Sequence, residues 1–135
     1  MTDGGPVAAI NLESIGARPQ LGYAPDEGFQ MRRYASAPQV IELVRSTSRQ
    51  RFGDDVLPNP LPAGVLTDGR SFLAHGVAAV TLVDSLAEGF PRRLHSIHDS
   101  RDRLSVPMLE RTVSLLEAVV AASDADPSLL SRPRR

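Results

Sequence analysis

The stretch "VAAVTLVD", residues 77–84, decides the fold of this chain. It is apolar on both faces of an extended backbone and rich in β-branched residues, a composition that favours a fully buried strand. Such strands are typical of parallel sheets whose two faces are covered by helices. We therefore expect this segment to lie in the middle of an α/β sheet, with the flanking sequence supplying the helices.

A second short apolar run, "VAAINL" at residues 7–12, is bounded by Gly5 and Pro6 and is followed by Glu13 and Gly16. A run of this length between such residues is typical of a buried strand. Parallel strands need neighbours and crossover connections, and only a few residues precede this one. We therefore expect that part of the sheet is encoded upstream of Met1.

Helix signals lie on both sides of the predicted strand at residues 77–84. Ser36 and Gln39 fit a capping box, Pro38 suits the first turn, and Gly53 is placed to end the helix. Further on, Thr67 or Asp68 is predicted to cap a short helix that Gly76 closes. Residues 17–38 and 54–64 are rich in turn formers and read as loops, the first with room for a short strand.

The last helix is predicted to begin after Ser105, with Pro107 in its first turn. Its apolar residues are spaced 3, 4, 3, 4, which predicts a stripe packed against the sheet; they are Val106, Leu109, Val113, Leu116 and Val120. The order of strands and helices indicates one α/β layer domain over residues 1–123, followed by a polar, flexible tail at 124–135.

Composition narrows the function classes. The chain has 135 residues, 41% of them hydrophobic and 23% charged, and a net charge of -1, which gives no reason to expect a nucleic acid or an acidic membrane as partner. It has no cysteine, so a metal would need histidine and carboxylate ligands. The sequence contains neither a secretory signal nor a membrane-spanning apolar run, and it assigns no localisation.

Polar side chains follow each of the two predicted strands, where sites form in open α/β sheets. Glu13 follows the first, and the second leads to "LHSIHD", residues 94–99, with His95, His98 and Asp99. A carboxylate and an imidazole brought together there could bind zinc. The alternative is structural: Glu13 as a solvated acid, His98 as a loop residue, and Asp99 as a cap or an ion-pair partner of nearby arginines.

The segments "TDGRSFLAHGVAAVTLVDS" and "LHSIHDSRDRLSVPMLERTVSLLEAVV" resemble the C-terminal part of the co-catalytic di-zinc aminopeptidases. That family includes bacterial zinc aminopeptidases and is related to glutamate carboxypeptidase, transferrin receptor and glutaminyl cyclase. The likeness covers residues 7–122. The positions that match the family's pattern on either side of the strand are Asp68, Phe72, Gly76, His95, Ser96 and Asp99.

Two positions depart from that pattern. Gly69 replaces the family's histidine, and in "AAINLESIG" Glu13 stands where the family has an aspartate zinc ligand. The resemblance implies an incomplete three-layer zinc-exopeptidase-like fold with a mostly parallel or mixed sheet. It also implies Glu13 and His95 as metal ligands, with Asp68 and Asp99 in support.

The family's remaining ligands and its general base lie in His-x-Asp and Glu-Glu motifs, and this sequence contains neither. No catalytic residue is therefore assigned, and zinc binding by the isolated chain is expected to be weak or absent. The resemblance suggests a C-terminal fragment or truncated member of a metallopeptidase family, often extracytoplasmic, that hydrolyses N-terminal peptide bonds. We expect a partner chain or self-association through an exposed sheet edge.

Two other interpretations stay open. The chain could be a non-catalytic binding or oligomerisation module built on the same scaffold, as the replacements at Glu13 and Gly69 suggest. The match could also be a chance one, in an unrelated α/β domain.

Overall fold

A computed structural model of the chain describes residues 8–16, 20–29, 31–62, 64–84 and 100–130. Within these residues there are six strands: β1 (Ala9–Glu13), β2 (Leu21–Tyr23), β3 (Asp26–Phe29), β4 (Arg32–Ala35), β5 (Leu57–Pro58) and β6 (Ala79–Asp84). Four of them form a mixed sheet in the order β1-β6-β2-β5, with β1 parallel and β2 antiparallel to β6. The α/β prediction is therefore confirmed, and β6 is a central, fully buried strand as expected.

The sheet separates two layers. Successive side chains of a strand point to opposite faces, so Val80 and Leu82 face one layer while Thr81 faces the other. The first layer contains α1 (Pro38–Phe52) and α3 (Val106–Ala125), which pack against each other and enclose the main hydrophobic core. The second contains α2 (Asp68–Ala74) and the antiparallel β3–β4 hairpin.

Most of the predicted helix ends are confirmed. Thr67 caps α2 by accepting a hydrogen bond from the Gly69 backbone N–H, and Ser105 caps α3. Gly53 ends α1 in the left-handed region, at φ 77°. The capping box at Ser36 is wrong, because its hydroxyl donates to the Ala24 carbonyl oxygen at 2.7 Å and α1 begins without a side-chain cap.

The predicted apolar stripe of α3 is confirmed only in part: Leu109 and Leu116 are partly buried, and Leu116 packs against the core. Val106, Val113 and Val120 are 61%, 55% and 57% exposed. The face that packs inward is displaced around the helix and consists of Met108, Thr112, Leu115 and Val119. The 3-4 spacing is shared by two adjacent rows of this helix, so periodicity alone does not select between them.

The segment read as a loop before α1 contains three strands, β2, β3 and β4. At the other end of the chain, α3 continues to Ala125 and a 3₁₀ turn, Pro127–Leu130, follows it, with Leu130 packed against the core. No helix in the described part of the chain is long and apolar enough to cross a membrane.

Candidate functional site

Glu13 is the last residue of β1, and its backbone is in register with Val83 of β6. Because β1 and β6 run parallel, their carboxyl ends meet at the same edge of the sheet. The side chain of Glu13 is half-buried. One carboxylate oxygen, Oε1, accepts a hydrogen bond of 3.0 Å from the Ser14 hydroxyl. A carboxylate therefore lies where open α/β sheets form their sites, with limited access to solvent.

The turn that follows Glu13 is fastened to the beginning of α3. The carbonyl oxygen of Gly16 accepts a 2.6 Å hydrogen bond from the backbone N–H of Ser105. Gly16 has a φ of 100°, and a Cβ there would lie only 2.7 Å from Cδ2 of Leu109. These two contacts leave the turn little freedom, so the direction in which β1 presents Glu13 is set by packing against α3.

Beneath this edge lies a buried polar network around Glu27, which is 1% exposed. The hydroxyls of Thr67 and Thr81 each donate to one carboxylate oxygen of Glu27. The side-chain amide of Asn11 in turn donates to both threonine oxygens, at 3.2 Å each. The network joins β1, β3, β6 and the first turn of α2, and it satisfies a buried carboxylate with hydroxyl donors.

Gly69 leaves the space that the Glu27 carboxylate fills. A Cβ at position 69 would overlap both Glu27 Oε1 and Thr81 Oγ1. A histidine, which the family resemblance leads one to expect here, has no room beside this carboxylate. Position 69 is therefore restricted to glycine by the buried carboxylate of Glu27.

The remaining predicted site residues divide into two groups. Asp68 is exposed at the first position of α2. His95 and Asp99, together with His98, lie outside the described residues. His75 ends α2, and its Nδ1 lies 2.8 Å from the Ser71 carbonyl oxygen. Among the residues that the structure places, no three His, Cys, Asp or Glu side chains gather into a metal-binding group.

The donors can be compared with what zinc requires. Zinc accepts carboxylate oxygens but is held by three or four protein ligands in stable sites. Glu13 supplies a carboxylate oxygen at the carboxyl end of β1, so this residue fits one position of a zinc site. The other ligands of such a site must be supplied by other residues. Glu27 does not fit a catalytic role, because it is buried and each of its carboxylate oxygens accepts a hydrogen bond from a threonine hydroxyl.

The network around Glu27 is what sequence reasoning missed. Its signal was present in part: Asn11 and Thr81 are polar residues inside two otherwise apolar strands, and buried polar groups need partners. Nothing in the sequence marked Glu27 as that partner, because it lies in the segment read as a loop. A separate cavity, lined by Leu21, Ser48, Asp55, Met108 and Leu115 among others, lies at the β2–β5 end of the sheet, away from Glu13.

Comparison with known proteins adds no relative: no family model matches the chain, and no curated protein or solved structure is detectably similar to it.

Proposed function

We propose that this chain forms the carboxyl-terminal part of a zinc-dependent aminopeptidase, in which Glu13 and His95 are metal ligands. The observation that carries the proposal is the position of Glu13 at the carboxyl end of β1, beside the end of β6. The chain leaves β6 at Asp84, and His95 follows 11 residues later in the sequence. A carboxylate at this edge is therefore near the start of the segment that carries the imidazole.

Each predicted site residue has a separate role in the proposed zinc site. Bound zinc ions would activate a water molecule and polarise the scissile carbonyl of a peptide. Glu13 would hold its metal through the carboxylate, while Asp68 and Asp99 would support the site from outside. This sequence offers no Glu-Glu pair for the general base and no His-x-Asp motif for the bridging ligand. Those groups must come from a further polypeptide segment or a partner chain.

The free edge of the sheet is the surface on which such a partner would join. In the described part of the chain β1 is an edge strand, since it pairs with β6 on one side only. Leu12 on this strand is 45% exposed. An edge strand with unpaired backbone groups and an apolar side chain can accept another strand, from a second copy or from a separate chain. The expected state of the purified chain is therefore an oligomer or a complex.

Zinc titration by calorimetry tests the metal site. Because the isolated chain is expected to bind zinc weakly at most, the titration is made with a chain extended by a segment that carries the His-x-Asp and Glu-Glu motifs. We expect its zinc affinity to fall at least about tenfold in either His95→Ala or Glu13→Ala, because each removes a ligand. His75→Ala and Glu110→Ala are matched controls from the exposed surface and should leave binding unchanged. Absence of binding, also when the chain is extended by in-frame upstream sequence containing the missing motifs, would refute the proposal.

A second candidate is a non-catalytic module on the same scaffold, and the contact between Gly69 and Glu27 favours it. This contact fills the place of a family histidine with a satisfied structural acid. The module predicts stable oligomers, measured by light scattering, with no zinc bound. Chelator-sensitive cleavage of an amino-acyl anilide by this chain alone would contradict both candidates, since neither gives it a general base.

A further inference from the structure

Ser14 is a serine in the left-handed region of the backbone, with a φ of 51°. Among the residues that the structure describes, it is the sole non-glycine with a positive φ. L-residues with a Cβ are disfavoured in this conformation, which glycine adopts freely. Ser14 directly follows Glu13, and non-glycine residues in strained conformations concentrate at functional sites.

The surrounding contacts explain how the conformation is maintained but do not explain the serine. Two residues later, Gly16 is fixed to α3 by the Ser105 hydrogen bond and by close packing of Leu109. Those contacts do not involve the side chain at position 14, and glycine adopts the left-handed conformation of this position more readily than serine. What serine adds is its hydroxyl, which donates to Glu13 Oε1 at 3.0 Å.

We infer that Ser14 is a positioning residue for Glu13, which orients the carboxylate so that Oε2 is presented to a metal ion. Hydrogen bonds of this kind to a ligating carboxylate fix its orientation and strengthen metal binding. The inference rests on the proposed function for its metal, but the hydrogen bond itself belongs to the metal-free chain. The strained backbone is then the cost of keeping a donor beside Glu13.

Three variants separate orientation of the carboxylate from stability of the turn. Ser14→Gly removes the donor and relieves the backbone, and Ser14→Ala removes the donor alone. Ser14→Asn keeps a donor and tolerates the left-handed region. We expect zinc affinity, measured by calorimetry on the chain extended by the missing motifs, to fall about tenfold in the Gly and Ala variants and to recover in the Asn variant. The thermal midpoint of metal-free Ser14→Gly should equal or exceed that of the wild type, so lost affinity cannot be ascribed to unfolding.

A second readout distinguishes failure of this inference from failure of the proposed function. The side-chain carboxyl ¹³C resonance of Glu13 in the metal-free chain should shift in Ser14→Ala and return toward its wild-type position in Ser14→Asn. If Ser14→Gly binds zinc as the wild type does, or if the resonance is unchanged, the positioning role is refuted while the metal site stands. If the wild type binds no zinc under any of the conditions given above, the proposed function fails, and this inference fails with it.

Discussion

Gly69 and Glu27 are in direct contact: the Cα of Gly69 lies against a buried carboxylate that two threonine hydroxyls hold in place. The contact joins the first turn of α2 to β3. Thr67, which caps α2 and donates to Glu27, is 40 residues away from Glu27 in the sequence. It explains why a glycine, which weakens helices, occupies the second position of α2. The short helix is thereby seated close to the sheet edge that presents Glu13.

Gly69→Ala should therefore destabilise the protein. In an exposed helical position this substitution stabilises by up to about 1 kcal/mol, whereas overpacking a buried site costs about 1–3 kcal/mol. We expect the second effect to prevail, because the added methyl overlaps Glu27 and Thr81. The free energy of unfolding in urea measures it, with Ser71→Ala on the exposed face of the same helix as control. A variant as stable as the wild type would show that α2 is not seated in this way.

Thr81→Val tests the hydrogen-bond network. The substitution keeps the shape of the side chain but removes one of the two hydroxyls that donate to Glu27. Leaving a buried acceptor without its partner costs about 1–3 kcal/mol. We expect a loss of that size in the free energy of unfolding.

Thr112→Val is the matched control for this prediction. Thr112 is equally buried, but its hydroxyl donates within its own helix, to the Met108 carbonyl oxygen at 2.9 Å. Thr112→Val should lower the free energy of unfolding by less than Thr81→Val, since the Met108 carbonyl oxygen retains its partner within the helix. Equal losses in the two variants would mean that the network adds nothing beyond an ordinary buried threonine.

The elements that sequence predicted well are those whose signals are local. β6 could be identified from its composition, and the ends of α2 and α3 from Thr67 and Ser105, since a cap acts within one turn. Where β2, β3 and β4 lie, the sequence indicated a loop with room for one short strand, because each strand has at most four residues and depends on partners distant in the sequence. The same limit applied to the site. The sequence named Glu13, but the contacts that orient it come from α3, and the acid beneath it comes from an unrecognised hairpin.

The inward face of α3 gives a direct comparison between two adjacent residues. Val119 is 3% exposed and Val120 is 57% exposed, in the same helix and the same residue type. We expect Val119→Ala to lower the free energy of unfolding by about 2 kcal/mol, from lost burial and the cavity left behind. Val120→Ala should change it by less than about 0.5 kcal/mol. The reverse order, measured by urea denaturation, would restore the stripe that the sequence spacing predicted and would refute the helix orientation described here.

The ion pair between Arg45 and Asp55 makes a prediction about pH. Two hydrogen bonds join them, at 2.9 Å from Nε and 2.5 Å from Nη2, and Arg49 adds a third at 3.1 Å. The hydrogen bonds from Arg45 hold the pKa of the Asp55 carboxyl below its ordinary value. Because the pKa is lower in the folded than in the unfolded state, the stabilisation is fully present above about pH 4 and is lost as the pH falls through the folded-state pKa.

Asp55→Asn should therefore be less stable than the wild type near neutral pH, and the difference should shrink in acid. Urea denaturation at several pH values between about 7 and 2 measures this difference, with the exposed Asp124→Asn as control. A difference that stays constant across that range would show that the Asp55 carboxylate contributes through its shape and not through its charge.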